Sequence, residues 1–255
     1  MSFPASPILT VRNLSAAFAN GSGNLTALQD ISFSVDAQEF VCVLGPSGSG
    51  KSTLLRILGG LLIPTGGEVT LGGLPLRGPH PKVGLVFQDP NLMPWRSVIQ
   101  NILLPLELCG TPEPAAASQA RAILELVGLQ GFEDYLPHSL SGGMAQRVAI
   151  ARSLVHDPDV LLLDEPFGAL DALTRERMGT ELLRIWQVRR KTVVMVTHAI
   201  DEALYLADRV LVLSSQPGKL VWDAAVDLPR PRSEELRYTS GFGVLAQQLR
   251  AAIGT

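Results

Sequence analysis

No apolar run in this chain of 255 residues approaches the roughly 18 residues that a bilayer-spanning helix needs. Any transport task would therefore require other chains to cross the membrane. Cysteine is nearly absent. Cys42 and Cys109 are the only two, too few for a disulfide framework, and Cys42 lies in the apolar run Phe40-Val41-Cys42-Val43-Leu44, where a small buried hydrophobe is expected. A reducing compartment follows. The segment Met1 to Pro7 has no basic stretch followed by an apolar core, so it does not read as a secretory signal. An excess of one charge is lacking too: 21 Lys+Arg stand against 24 Asp+Glu, a net charge of -3, so no global basic field marks nucleic acid as the partner. The four histidines and two cysteines show no metal-ligand spacing. At 46% hydrophobic and 18% charged, the chain can bury a sizeable core, in one large domain or one domain with an inserted subdomain.

Short apolar strands alternate with amphipathic helices, which argues an α/β fold with a largely parallel core. In the run 28–35, Ile31, Phe33 and Val35 alternate with polar neighbours as in a half-buried strand, while Phe40–Leu44 is continuously apolar and reads as a buried central strand. Further buried strands are expected at 83–87, 160–163, 192–196 and 210–213. Between residues 89 and 158 the texture becomes helical: Ala120, Ile123, Leu124 and Val127 recur at helical spacing, as do Met144, Val148, Ala151 and Val155. A helical insert of 89–158 within a core of 1–88 and 159–222 is therefore expected. The Pro/Gly-rich pieces 72–81 and 110–114 read as connecting loops, and 223–255 as a short tail ending in a helical pattern.

Three segments carry chemistry. Gly45-Pro46-Ser47-Gly48-Ser49-Gly50-Lys51-Ser52 matches G-x-x-x-x-G-K-[ST] at every fixed position, directly after a strand and before a helix continuing through Thr53. Its glycines let successive N–H groups turn toward phosphate, Lys51 reaches the β- and γ-phosphates, and the Ser52 hydroxyl suits Mg²⁺. The apolar run 160–163 ends in Asp164-Glu165-Pro166, and Pro166 stops the strand at its C-terminal edge. Asp164 is placed to hold Mg²⁺ and Glu165 to polarise an attacking water. In Leu140-Ser141-Gly142-Gly143-Met144-Ala145-Gln146, Ser141 can cap a helix running through residues 145–155, with Gly142 and Gly143 exposing N–H groups at its positive end. That is a second anion site. On spacing alone, whether both sites touch one nucleotide in cis or in trans stays open.

Together these segments resemble the nucleotide-binding subunit of ATP-binding-cassette (ABC) transporters, over residues 8–222. The likeness comprises a Walker A loop at 45–52, a Q-loop at Gln88, the signature at 140–146, Walker B at 160–164, a D-loop at Ala169-Leu170-Asp171 and a switch histidine at His198. The resemblance implies a P-loop NTPase core with an N-terminal antiparallel β part and an inserted α-helical subdomain. It implies ATP and Mg²⁺ as cofactors, with Gln88, Glu165 and His198 catalytic and Ser52, Gln88 and Asp164 at the metal. It also implies a head-to-tail homodimer, in which Ser141, Gly142, Gly143 and Gln146 meet the ATP of the other subunit. Phe18 occupies the position where the family stacks an aromatic on adenine. Met144 departs from the commonest signature, which has Gln there.

Only 52 residues separate Gln88 and Ser141, without sustained heptads, unlike repair ATPases that insert a long coiled coil. The wording of 91–98, 165–171 and 197–203 resembles importers for nitrate, sulfonates or taurine. That likeness implies two membrane-spanning permease subunits, a periplasmic or extracellular solute-binding protein, and a peripheral place on the cytoplasmic face of a bacterial inner membrane. Leu92, Met93 and Trp95 suit a permease contact. The rival readings are an ATP-gated, non-transport relative and another P-loop NTPase. The Glu165 and His198 pair disfavours the first, and the signature, with no Asn-Lys-x-Asp guanine motif, disfavours the second.

Overall fold

The computed structural model describes residues 7–20 and 23–254; except for Pro7, the segment read for a secretory signal lies outside them. In chain order the elements begin with β1 (Leu9–Asn20), β2 (Gly23–Val35), β3 (Phe40–Leu44), α1 (Lys51–Leu58), β4 (Gly66–Leu71), β5 (Leu74–Pro75) and β6 (Val83–Val86). Next come α2 (Val98–Leu108), α3 (Glu113–Leu126), α4 (Gly142–Leu154), β7 (Val160–Asp164) and α5 (Ala172–Arg189). The last are β8 (Thr192–Val196), α6 (Ile200–Leu206), β9 (Arg209–Leu213), β10 (Leu220–Ala225) and α7 (Ser240–Ile253). They fall into two compact units, Met1–His80 with Lys191–Thr255, and Pro81–Arg190.

In the first unit, β1 and β2 pair antiparallel, and β4 and β5 extend the sheet in the order β2-β1-β4-β5. Leu9, Val11, Leu14 and Ala16 supply its buried face, so the N-terminal part is antiparallel with one covered side. The strand β5 lies in the stretch expected to be only a loop, because Gly72 and Gly73, at φ 57° and 81°, turn the chain back on β4. The second sheet of this unit has β3 between β8 and β9, parallel to both. All five residues of β3 are fully buried, as a strand flanked on both sides demands, and each large apolar side chain contributes about 1.5–3 kcal/mol. Burial also pushes the Cys42 thiol well above its ordinary value, which suits an inert core residue. The strand β10 joins β9 antiparallel, so the expected boundary at 222 falls inside a strand. Beyond it, Arg230 donates to Asp208 Oδ1 at 2.7 Å and to the Leu206 carbonyl at 2.7 Å. Phe242 and Leu249 bury one face of α7, which packs on α6 and β9.

In the second unit β6 and β7 run parallel, register Val83 with Val160 through Val86 with Leu163. This unit takes in both strands and α5, and so is wider than the expected insert of 89–158: β6 and β7 pair with each other, and α4 packs on both β6 and α5. Ser97 and Gln100 form a reciprocal capping box at the start of α2. Pro114, expected in a loop, occupies the first turn of α3, where its missing N–H costs nothing. No helix among the described residues is long and apolar enough to cross a membrane.

The strand β6 and helix α4 come close at Gly84. A Cβ there would lie 2.6 Å from the Ser153 carbonyl oxygen and 3.1 Å from Pro158 Cγ. Gly84→Ala is expected to lower stability by about 1–3 kcal/mol through overpacking; a denaturant midpoint equal to that of the parent chain would refute this.

Candidate functional site

In the first unit β3 carries the chain straight into Gly45. The loop must then pass its neighbours closely: a Cβ on Gly45 would lie 2.8 Å from the Leu213 carbonyl oxygen. Gly50, at φ 86°, precedes α1, and a Cβ on it would lie 2.6 Å from Leu28 Cδ2. Only glycine meets both demands. Lys51 is 6% exposed, and its Nζ donates to the carbonyls of Gly45 at 2.9 Å and Pro46 at 2.8 Å. The loop Pro46, Ser47, Gly48 and Ser49 thus wraps a cation. No side chain caps α1 and no acidic residue stands in its first turn, so the N–H groups of the turn holding Lys51, Ser52 and Thr53 and the helix dipole favour an anion there.

Phe18 lies on β1 opposite Leu25 of β2, and both are partly exposed, at 39% and 45%. It is thus an accessible ring rather than a core aromatic. His198 lies two residues after the end of β8 and is exposed.

In the second unit β7 is buried along its whole length and ends in Asp164, which is 9% exposed. Glu165 then adopts φ 43°, an uncommon conformation for a residue with a side chain and one found at functional turns. A Cβ on Gly168 would lie 3.1 Å from Gln88 Nε2 and 3.5 Å from Glu165 Oε2. The structure therefore brings the Gln88 amide and the Glu165 carboxylate to the same glycine. Asp171 caps α5, its Oδ1 accepting from the Thr174 N–H at 3.0 Å; hydrogen bonding from Thr174, side chain first and backbone second, holds the carboxyl below its ordinary range.

Ser141 caps α4, its Oγ accepting from the Met144 N–H at 3.3 Å. The two glycines after it have a packing reason as well as an electrostatic one. A Cβ on Gly142 would lie 3.2 Å from Leu170 Cδ2, and one on Gly143 would lie 3.1 Å from Thr174 Cγ2. The start of α4 is thereby set against the 169–171 loop and α5. Gln146, the last residue of the signature, lies more than a turn beyond Ser141 on α4. It is 2% exposed, and its Nε2 donates to the Phe87 carbonyl at 3.5 Å, because α4 faces inward there; its link is to the residue before Gln88.

The segment after Gln88 is held by residues that sequence reasoning missed. Asn101 is fully buried; its Oδ1 accepts from the Met93 N–H at 2.8 Å, and its Nδ2 donates to the carbonyls of Met93, Arg96 and Ser97. Arg152 donates to the Pro90 and Asn91 carbonyls at 2.7 and 2.8 Å, and burial pulls its pKa down. The available signal was a polar side chain, Asn101, on the apolar stripe of Val98, Ile102 and Leu106. On this frame Leu92 and Met93 are half-buried and Trp95 is 72% exposed.

Comparison with known proteins agrees with this geometry. Residues 28–168 match the family model described as ABC transporter. An ABC transporter ATP-binding protein of Methanocaldococcus jannaschii is 50% identical over 88% of this chain and 84% of its own length. A taurine import ATP-binding protein of Burkholderia pseudomallei is 47% identical over 87% of this chain and 85% of its own. An aliphatic sulfonates import ATP-binding protein of Bacillus licheniformis is 46% identical over 88% and 87%. Among solved structures, a dimeric ATP-binding cassette in a post-hydrolysis state bound to ADP and Pi superposes with a TM-score of 0.76 at 32% identity, covering 87% of this chain and all of that one. With a phosphate loop around Lys51, a Gln88–Glu165 pair at Gly168 and a Ser141-capped signature helix, the chain belongs to the ABC transporter family, as an ATP-binding subunit similar to those of taurine and sulfonate importers.

Proposed function

We propose that this chain is the ATP-hydrolysing subunit of an importer for a small sulfonate, taurine, nitrate or a related solute. The observation that carries the reading is the meeting of the Gln88 amide and the Glu165 carboxylate at Gly168, in a chain whose phosphate loop holds Lys51. Phosphoryl transfer asks a protein chiefly for positioning and charge stabilisation. Lys51 and the backbone N–H groups opening α1 hold the phosphates, and the Phe18 ring stacks on the adenine. Ser52, Asp164 and Gln88 offer hard oxygens suited to Mg²⁺, which neutralises phosphate charge when bound; one or two protein oxygens are enough, because the phosphates and water complete its shell. Glu165 takes the proton of the attacking water while Gln88 orients it. His198 contacts the γ-phosphate.

The exposed Ser141 and the N–H groups of Gly142 and Gly143 serve the nucleotide of a second copy, so two chains share two ATP molecules, with Asp171 in the loop between signature and catalytic residues. Two permease subunits dock on the surface of Leu92, Met93 and Trp95, which places the chain peripherally at the cytoplasmic face of the membrane. A solute-binding protein completes the assembly. Closure of the dimer on ATP moves the permeases, and hydrolysis resets them.

Glu165→Gln is expected to retain ATP binding and to lower steady-state phosphate release with Mg-ATP by about 10²–10⁴-fold, the usual contribution of a general base; full turnover in that variant would refute the assignment. Ser141→Arg separates the two uses of the anion sites. It should leave ATP binding by the isolated subunit intact and abolish dimer-dependent hydrolysis, whereas lost binding by the monomer would put the signature on the chain's own nucleotide.

A further inference from the structure

We propose that Thr197 and Glu202 are positioning residues for His198, through a hydroxyl clamp that closes around the histidine. This rests on the reading of His198 as a γ-phosphate contact. Thr197 is 2% exposed, and its side chain bonds on both sides. Its Oγ1 accepts from the Ala199 N–H at 3.1 Å and donates its single proton to Glu202 Oε2 at 2.6 Å. The first bond spans His198, linking the side chain before it to the backbone after it, as in a Ser/Thr turn. The second ties that turn to the first turn of α6. The Thr197 N–H also donates to the Val43 carbonyl at 3.2 Å, which fixes the residue to the strand that delivers the phosphate loop.

The consequence is directional. Ala199 stands at the N-cap of α6 with no side-chain acceptor of its own, and its own N–H is taken by the Thr197 hydroxyl. His198, exposed and between two anchored neighbours, keeps few backbone conformations. Without the hydroxyl the turn loses its closure and Glu202 its short donor, while the buried core of β8 is untouched. A histidine displaced by about 1 Å loses up to 10²-fold in a reaction that depends on its placement.

The test is a mutant cycle on steady-state phosphate release by the full chain with Mg-ATP. Thr197→Val keeps shape and removes both bonds; turnover should fall roughly 10- to 100-fold with little change in KM for ATP or in thermal midpoint. Thr197→Ser should recover most of the loss. Glu202→Ala should fall likewise and Glu202→Gln, whose amide oxygen still accepts, should recover. In a His198→Ala background Thr197→Val should cost nothing more. Additive losses in that background, a loss carried by KM, or unchanged turnover in Thr197→Val would overturn the proposal. Should Thr197→Val fail to fold, Glu202→Ala completes the same cycle. His198→Ala with undiminished turnover would instead remove the histidine reading itself.

Discussion

An ammonium group kept from water must be surrounded by oxygens, and those around Lys51 come from the loop it follows. With Nζ 2.9 Å from the Gly45 carbonyl and 2.8 Å from that of Pro46, the loop closes on its own cation. Everything near it obeys that closure. Gly45 must pass Leu213 without a Cβ, and Gly50 must turn at positive φ against Leu28. Neither could do so if β3 shifted, and β3 cannot shift, because β8 and β9 are bonded to its two edges. The buried strand, the glycines and the buried charge are therefore one constraint, and it leaves the donors at the start of α1 without side-chain competitors.

The second unit solves a different problem with the same residue type. Its glycines serve packing: Gly84 admits the backbone of α4 to β6, Gly143 admits α5 to α4, and Gly142 admits Leu170. A side chain at any of these would displace the signature helix relative to the 169–171 loop. Gly168 belongs to the same set, with the Gln88 amide and the Glu165 carboxylate against it. Buried polar side chains then hold the irregular backbone. Asn101 takes four main-chain partners, Arg152 takes two carbonyls, and Gln146 reaches Phe87. Each satisfies groups that a loop running over a core would otherwise strand.

How much of this was legible follows from what each element depends on. Phe40–Leu44 could be read to the residue, because a strand paired on both edges and buried along its length is apolar throughout, and Thr192–Val196 because four apolar residues follow its threonine without a break. The phosphate loop was equally plain, since its glycines and lysine recur at a fixed local spacing. The strand β10 was not, because its residues alternate between exposed and half-buried and its sequence, Leu-Val-Trp-Asp-Ala-Ala, has no matching polar alternation. The second unit is wider than its helical stretch: helical texture begins near 89, whereas packing unites β6, β7 and α5 with the helices. Arg152 escaped because its partners are main-chain carbonyls, which every sequence has and no sequence marks, whereas Asn101, bonded to main-chain groups too, was marked only by its place on the apolar stripe of α2. Gln146 was grouped with Ser141 by motif, although more than one helical turn separates an exposed cap from a buried amide.

The buried strand β7 ends in Asp164, β3 runs directly into Gly45, and β8 is followed two residues on by His198; each end is built differently. A strand that stops at a ligand leaves its last peptide groups without ladder partners. After β3 the Lys51 ammonium takes the Gly45 and Pro46 carbonyls. At β7 the chain turns at once, with Glu165 at φ 43° and the Gly168 N–H donating to the Glu165 carbonyl at 3.0 Å. Beyond β8 a side chain does the work of a backbone, the Thr197 hydroxyl taking the Ala199 N–H. The difference follows from what each end must present. A phosphate cradle needs bare N–H groups, so side chains are removed from it. The Glu165 carboxylate, proposed to face the attacking water, follows an unusual backbone angle that a tight turn holds. An exposed imidazole needs only a fixed stem, and a hydroxyl anchored by Glu202 supplies one while leaving the ring outside the core.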